Sequence, residues 1–195
     1  MNILYLHGFG SRFSGTSPKC KLLSEIGTVY GCDIDYTKHR GIIKENIETY
    51  ILNQFRMGNE IDMIIGTSMG GYMANVVGVS LGLPFVMINP SISPYTSLCK
   101  RVGTHTDFYG NQYTLEQEVV DSYKTFDTPS IGGCGFVILD RDDELFDYTV
   151  TQKSLKYRTK IFDGGSHRFD HMEESLPLIE AFFNQNFISS GMDVN

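Results

Sequence analysis

The segment Gly66-Thr67-Ser68-Met69-Gly70 follows the apolar run Ile61-Asp62-Met63-Ile64-Ile65 and precedes Tyr72-Met73-Ala74-Asn75-Val76-Val77, a stretch with no proline. This order predicts a buried strand that turns sharply into a helix, with a serine at the turn. Glycines two before and two after the serine leave room for strand and helix to pass closely. The new helix aims its N-terminal N–H groups and the positive end of its dipole at the serine hydroxyl, so an oxyanion formed there is stabilised. The pattern is short and also describes a glycine-rich turn with an idle serine. Its context between strand and helix is what points to a nucleophile.

The rest of the chain repeats this logic. Short apolar runs alternate with helical patterns, the signature of an α/β domain with a parallel sheet and crossover helices. Strands are predicted at Asn2–Leu6, Cys32–Tyr36, Ile61–Gly66, Pro84–Ile88, Gly135–Leu139 and Thr159–Phe162. Helices are predicted near Ser17–Gly27, Gly41–Arg56, Met69–Leu81, Phe146–Lys156 and Glu173–Phe187. Ile43, Ile47, Tyr50 and Ile51 form an apolar stripe on the second of these. Leu176, Ile179, Phe183 and Phe187 do so on the last, where Pro177 falls in the first turn and is tolerated. The expectation is one domain over residues 1–195: a mostly parallel sheet of about six strands, helices on both faces and a short helical insertion. That insertion, residues 91–133, is predicted to carry helices near Pro94–Arg101 and Thr114–Phe126. It reads as a lid over a ligand crevice or as a structural excursion.

Composition narrows the partners. The net charge of −7 argues against general nucleic-acid binding, which needs basic surface. No apolar stretch approaches 18 residues, so no membrane span is expected. Met1 to Leu6 lacks a basic n-region and reads as a strand, not a signal peptide. Cys20, Cys32, Cys99 and Cys134 are scattered without a CxxC pair and read as reduced core thiols of a cytoplasmic protein.

A nucleophilic serine needs a base and a carboxylate to orient it, each on a loop after a later strand. His167 lies in Asp163-Gly164-Gly165-Ser166-His167-Arg168-Phe169, just past the last predicted strand. His7 ends the first strand and reads as structural. His39 lies in a basic run, His105 in the insertion, and His171 already enters the final helix. The acid belongs in Asp140-Arg141-Asp142-Asp143-Glu144, after the strand Gly135–Leu139. Asp143, just before the next helix, is the first choice and Asp140 the second. This acidic run is no EF-hand, because Leu145 stands where glycine is needed and Thr151 where a bidentate glutamate is needed. The oxyanion donors expected are the N–H groups of Met69 and of Phe9, in the loop His7-Gly8-Phe9-Gly10-Ser11. Gly8-Phe9-Gly10 is no dinucleotide fingerprint, since its third glycine would have to stand at Phe13.

Leu4-Tyr5-Leu6-His7-Gly8-Phe9 and Gly66-Thr67-Ser68-Met69-Gly70-Gly71-Tyr72 resemble the α/β-hydrolase superfamily, and more narrowly its YqiA-like small bacterial esterases. Asn89-Pro90, Gly110-Asn111-Gln112-Tyr113, Asp143-Glu144-Leu145-Phe146-Asp147-Tyr148 and Gly164-Gly165-Ser166-His167-Arg168-Phe169 match in order, so the resemblance spans nearly the whole chain. It departs before the acid, where Asp140-Arg141-Asp142 replaces a more usual glycine-containing turn. The resemblance implies Ser68 as nucleophile, Asp143 as acid and His167 as base. It also implies hydrolysis of small-molecule carboxylic esters or thioesters with no cofactor and no metal. An acyltransferase on the same fold and a hydrolase-like binding module without turnover are the alternatives. Phe108, Tyr109 and Tyr113 are the expected substrate-pocket walls, or else core packing.

Overall fold

The apolar runs become the centre of a sheet because their side chains are buried on both faces. In the computed structural model, which describes residues 1–107, 109–126 and 132–190, the strands are β1 (Asn2–Leu6), β2 (Thr28–Tyr30), β3 (Met63–Thr67), β4 (Phe85–Ile88), β7 (Gly135–Asp140) and β8 (Arg158–Phe162). They form one parallel sheet in the order β2-β1-β3-β4-β7-β8. In the four central strands, alternate residues serve two separate cores. Leu4, Leu6, Ile64, Met87, Val137 and Leu139 face helices α2 (Arg40–Arg56) and α3 (Met69–Leu81). Ile3, Tyr5, Met63, Ile65, Val86, Ile88, Phe136 and Ile138 face the other way. There they meet α1 (Pro18–Leu23) and α7 (Met172–Ser190), while α6 (Tyr148–Ser154) joins β7 to β8.

Local chemistry sets the helix ends. Ser17 caps α1 by accepting the N–H of Cys20, with Pro18 at the first helical position. Helix α3 closes on Gly82, whose φ of 70° is left-handed. Every residue of α3 from Met69 to Gly78 is buried, so this helix is packed all round and cannot shift without opening the core. On α7 the buried stripe is Met172, Leu176, Ile179 and Phe182. Phe183, placed on that stripe by the sequence, is half-buried at its margin, and the side chain of Phe187 lies outside the described residues.

Three expectations need correction. The second strand is Thr28–Tyr30, not Cys32–Tyr36. Ile34 and Tyr36 are buried as that pattern requires, but they serve a loop beneath the end of β1. The N–H of Ile34 donates to His7 Nε2 at 2.8 Å and the hydroxyl of Tyr36 to the carbonyl of His7 at 2.7 Å, so these residues bond a side chain and a strand end, not a ladder. The insertion, in turn, is less helical than expected. Beyond α4 (Pro94–Cys99) it forms an antiparallel hairpin, β5 (Gly103–Thr106) with β6 (Gln112–Leu115), before α5 (Gln117–Asp121) and a 3-10 turn at Lys124–Phe126. Finally, the four cysteines are unbridged, but Cys99 is exposed and only Cys20 is fully buried. Burial, with the Asp33 carboxylate adding to it, pushes the Cys32 thiol up to about 11. Among the described residues no helix is long and apolar enough to cross a membrane.

Candidate active site

The loops that leave the carboxyl ends of β1, β3, β7 and β8 meet where strand order reverses between β1 and β3. In open parallel sheets this is where ligands bind. Ser68 sits there between β3 and α3 with φ 58° and ψ −122°, a conformation that costs a non-glycine residue about 1–3 kcal/mol. Its N–H donates to the carbonyl of Ile88 on β4, and its carbonyl accepts the N–H of Ser91 and Tyr72. These bonds hold the strained residue in place. The flanking glycines are required by close approach: a Cβ on Gly66 would lie 2.0 Å from the carbonyl oxygen of Gly70, and one on Gly70 2.1 Å from that of Leu6.

The structure brings Ser68, His167 and Asp143 into one hydrogen-bonded chain. Ser68 Oγ is 3.0 Å from His167 Nε2, and His167 Nδ1 is 2.9 Å from Asp143 Oδ2 and 3.1 Å from its Oδ1. An acceptor on the Nδ1 side fixes that nitrogen as the N–H of the neutral ring and leaves Nε2 free to take a proton from the serine. The Asp143 carboxylate is 2% exposed, yet satisfied, because its Oδ1 also accepts the N–H groups of Leu145 and Phe146. A buried carboxylate so bonded stays aimed at the ring. The edge of Phe146 covers the imidazole, with ring centroids 5.1 Å apart. Among these loops sequence reasoning missed Glu144, whose Oε2 accepts the N–H of His167 at 2.8 Å. That bond lowers the Glu144 pKa.

Asp140, the second choice for the acid, does not reach His167. Its carboxylate bonds His171 Nδ1 at 2.7 Å. His7 is buried and holds the backbone: Nε2 accepts from Ile34, and Nδ1 lies 2.9 Å from the carbonyl of Gly8. Burial lowers its pKa.

Met69 is the first residue of α3, so its N–H has no partner one turn earlier in the helix. Phe9 follows β1, its ring edge-on to Tyr113 at 5.5 Å and near Tyr36 at 6.0 Å. A cleft of about 120 Å³ opens beside it, lined by Phe9, Ile34, Tyr36, Thr37, Asp107 and Tyr113. Tyr113 thus packs on Phe9 and lines this cleft, which none of Ser68, Asp143 and His167 lines. Tyr109 is more than half exposed, with the Arg12 guanidinium 4.0 Å above its ring, and Phe108 lies outside the described residues. A larger groove of about 500 Å³ between α2 and α3, lined by Lys44, Glu48, Leu52 and Leu81, shares no residue with this site. Among the described residues no cluster of three or more His, Cys, Asp or Glu side chains is placed to hold a metal ion.

Known proteins share this architecture. The structure superimposes on Est1E from Butyrivibrio proteoclasticus with a TM-score of 0.72, at 14% identity over 96% of this chain and 88% of that one. It superimposes on a monoacylglycerol lipase from Paleococcus ferrophilus with a TM-score of 0.70, at 14% identity over 94% of each chain. These likenesses establish the α/β-hydrolase fold. In sequence, a UPF0227 protein of Shewanella woodyi is 26% identical over 183 residues, which cover 92% of this chain and 98% of that one. The family described as "Uncharacterised protein family (UPF0227)" matches residues 2–184, and the chain belongs to that family.

Proposed function

We propose that this protein is a serine hydrolase that cleaves small carboxylic esters or thioesters, with Ser68 as nucleophile, His167 as base and Asp143 as the carboxylate that orients it. The observation that carries this reading is the 3.0 Å contact of Ser68 Oγ with His167 Nε2, backed by the buried Asp143. In the reaction, Ser68 Oγ attacks the acyl carbon while Nε2 takes its proton. The tetrahedral oxyanion accepts the N–H groups of Met69 and Phe9. Collapse breaks the bond to the alkoxide or thiolate, which His167 protonates. Water, deprotonated by the same nitrogen, then frees the acid and restores Ser68.

Residues 91–133 act as a cap in this proposal, since their hairpin sets Tyr113 against Phe9. The cleft beside Phe9, about 120 Å³, lies under this hairpin and next to a proposed oxyanion donor. Four unbridged cysteines support a reducing compartment, the cytoplasm.

The test is hydrolysis of p-nitrophenyl esters of graded acyl length, beside labelling by a fluorophosphonate. Wild type is expected to label and to hydrolyse these esters, with the length preference reporting the reach of the acyl pocket. Ser68→Ala is expected to lose both activities. Undiminished labelling of that variant would sink the assignment.

A further inference from the structure

The molecule carries a second carboxylate–imidazole couple that the proposed reaction does not use. Asp140 ends β7 and is fully buried. Its Oδ2 accepts the N–H of Ser166 at 3.1 Å and that of Asp170 at 2.8 Å, and its Oδ1 faces His171 Nδ1 at 2.7 Å. Ser166 and Asp170 lie on either side of His167 in the chain, so one carboxylate grips both ends of the loop that carries the imidazole. The backbone of Asp140 adds to the grip: its carbonyl accepts the N–H of Asp143 at 3.4 Å, and its N–H donates to Asn89 Oδ1 at 2.9 Å. Asn89, at the end of β4 with φ 40°, turns its amide to the same loop and donates to the carbonyls of Ser166 at 2.9 Å and His167 at 3.4 Å. His171 is itself fixed, stacked on Phe162 with 8° between the ring planes and 5.0 Å between centroids.

The loop is shaped to admit this carboxylate. A Cβ on Gly165 would lie 1.9 Å from Asp140 Oδ2. Other charged groups also face this loop: the Lys19 ammonium donates to the carbonyl of Arg168, Glu144 accepts the N–H of His167, Arg141 pairs with Asp163, and Arg168 and Asp170 belong to the loop itself. A buried carboxylate is costly unless its oxygens are satisfied, and here three donors satisfy it.

We infer that Asp140 is a positioning residue, which with Asn89 and His171 holds His167 at its distance from both Ser68 and Asp143. The inference rests on the hydrolase reading for its kinetic consequence but not for its geometry. Displacing an imidazole by about 1 Å costs on the order of 10²-fold in turnover. In Asp140→Asn the one remaining carbonyl oxygen can still accept from Ser166 and Asp170, while the new NH₂ faces His171. In Asp140→Ala all three donors are left without it.

The experiment measures kcat and KM for p-nitrophenyl acetate in wild type, D140A, D140N and H171Q. It pairs them with the imidazole ¹⁵N and Nδ1–H resonances of His167, using S68A as the reference that lacks the nucleophile alone. Expected for D140A is a kcat lower by about 10²-fold with KM nearly unchanged, and a His167 Nδ1–H signal that is lost or shifted. D140N and H171Q are expected to fall between D140A and wild type, and S68A to keep the His167 Nδ1–H signal. Wild-type kcat in D140N and D140A, with unshifted His167 resonances, would overturn the inference. If D140A does not fold, D140N and H171Q decide alone, and wild-type values in both overturn it. If wild type proves inactive, the resonances still decide the positioning role, and only the hydrolase reading is lost.

Discussion

Two aspartates three residues apart bond different histidines because of how a turn points them. Asp143 caps its own turn through Leu145 and Phe146 and leaves Oδ2 aimed at His167, while Asp140 remains on the strand beneath the loop. The order of serine, acid and histidine along the chain was legible in the sequence, and so were the loops that bear them. The sequence put Asp143 ahead of Asp140 on its place just before the next helix, and the imidazole of His167 does meet Asp143; what it did not contain is the turn that sends Asp140 to His171 instead. Glu144 and Asn89 were hidden for another reason: each acts on the backbone of the histidine loop, and no spacing rule records a side chain that bonds a distant main chain. A non-glycine residue at positive φ ahead of Pro90 was the available sign of strain, and it exists only in the structure. Replacing Asp143 by Asn is expected to leave the fold intact and to lower kcat by about 10³–10⁴-fold, because the amide favours the wrong imidazole tautomer. Steady-state kinetics beside a thermal melt checks both halves of that statement.

At the scale of elements, strands buried on both faces were legible to within about two residues, since continuous apolar runs flanked by turns have few other uses. The edges were not. Thr28–Tyr30 is three residues long and among the described residues pairs only with Asn2–Leu4, an edge position that needs no apolar run like that of a central strand. Cys32–Tyr36 has the better pattern, but its donors go to His7. The β5–β6 hairpin was missed because its residues are mostly polar. Its readable sign was the alternation in Thr104-His105-Thr106 before Asp107 and Gly110, turn formers whose geometry Asp107 fixes by accepting the N–H groups of Tyr109 and Asn111. The elbow gives the sharpest prediction here. Gly70→Ala places a methyl group against the backbone of Leu6, which no side-chain rotation relieves. We expect a loss of about 3 kcal/mol or failure to fold, read from urea unfolding. Gly15→Ala, with open space around it, is the control and should fall within about 0.5 kcal/mol of wild type.

For the whole molecule, stability is tied to pH through His7. Burial holds its pKa below the ordinary 6.5, and the neutral ring is the form that accepts the N–H of Ile34. Above about 6.5 neither the folded nor the unfolded chain carries this proton, so the contact is at full strength. As pH falls toward the lower folded pKa, the unfolded chain takes up a proton that the fold excludes, and stability declines. Urea midpoints are expected to drop between about pH 7.5 and 5.5, and less so in His7→Gln, which keeps an acceptor but cannot titrate. An equal drop in that variant would assign the slope to other groups. The parallel sheet has a second consequence. His167 lies 99 residues after Ser68 and rides on β8, the outermost strand on its side. A nascent chain therefore exposes its serine well before the imidazole has been synthesised. Under the proposed reaction, activity becomes a stamp of completion, acquired only when β8 docks. In refolding, its return should lag behind the burial of the central strands, because the contact of Ser68 with His167 is closed from the edge strand.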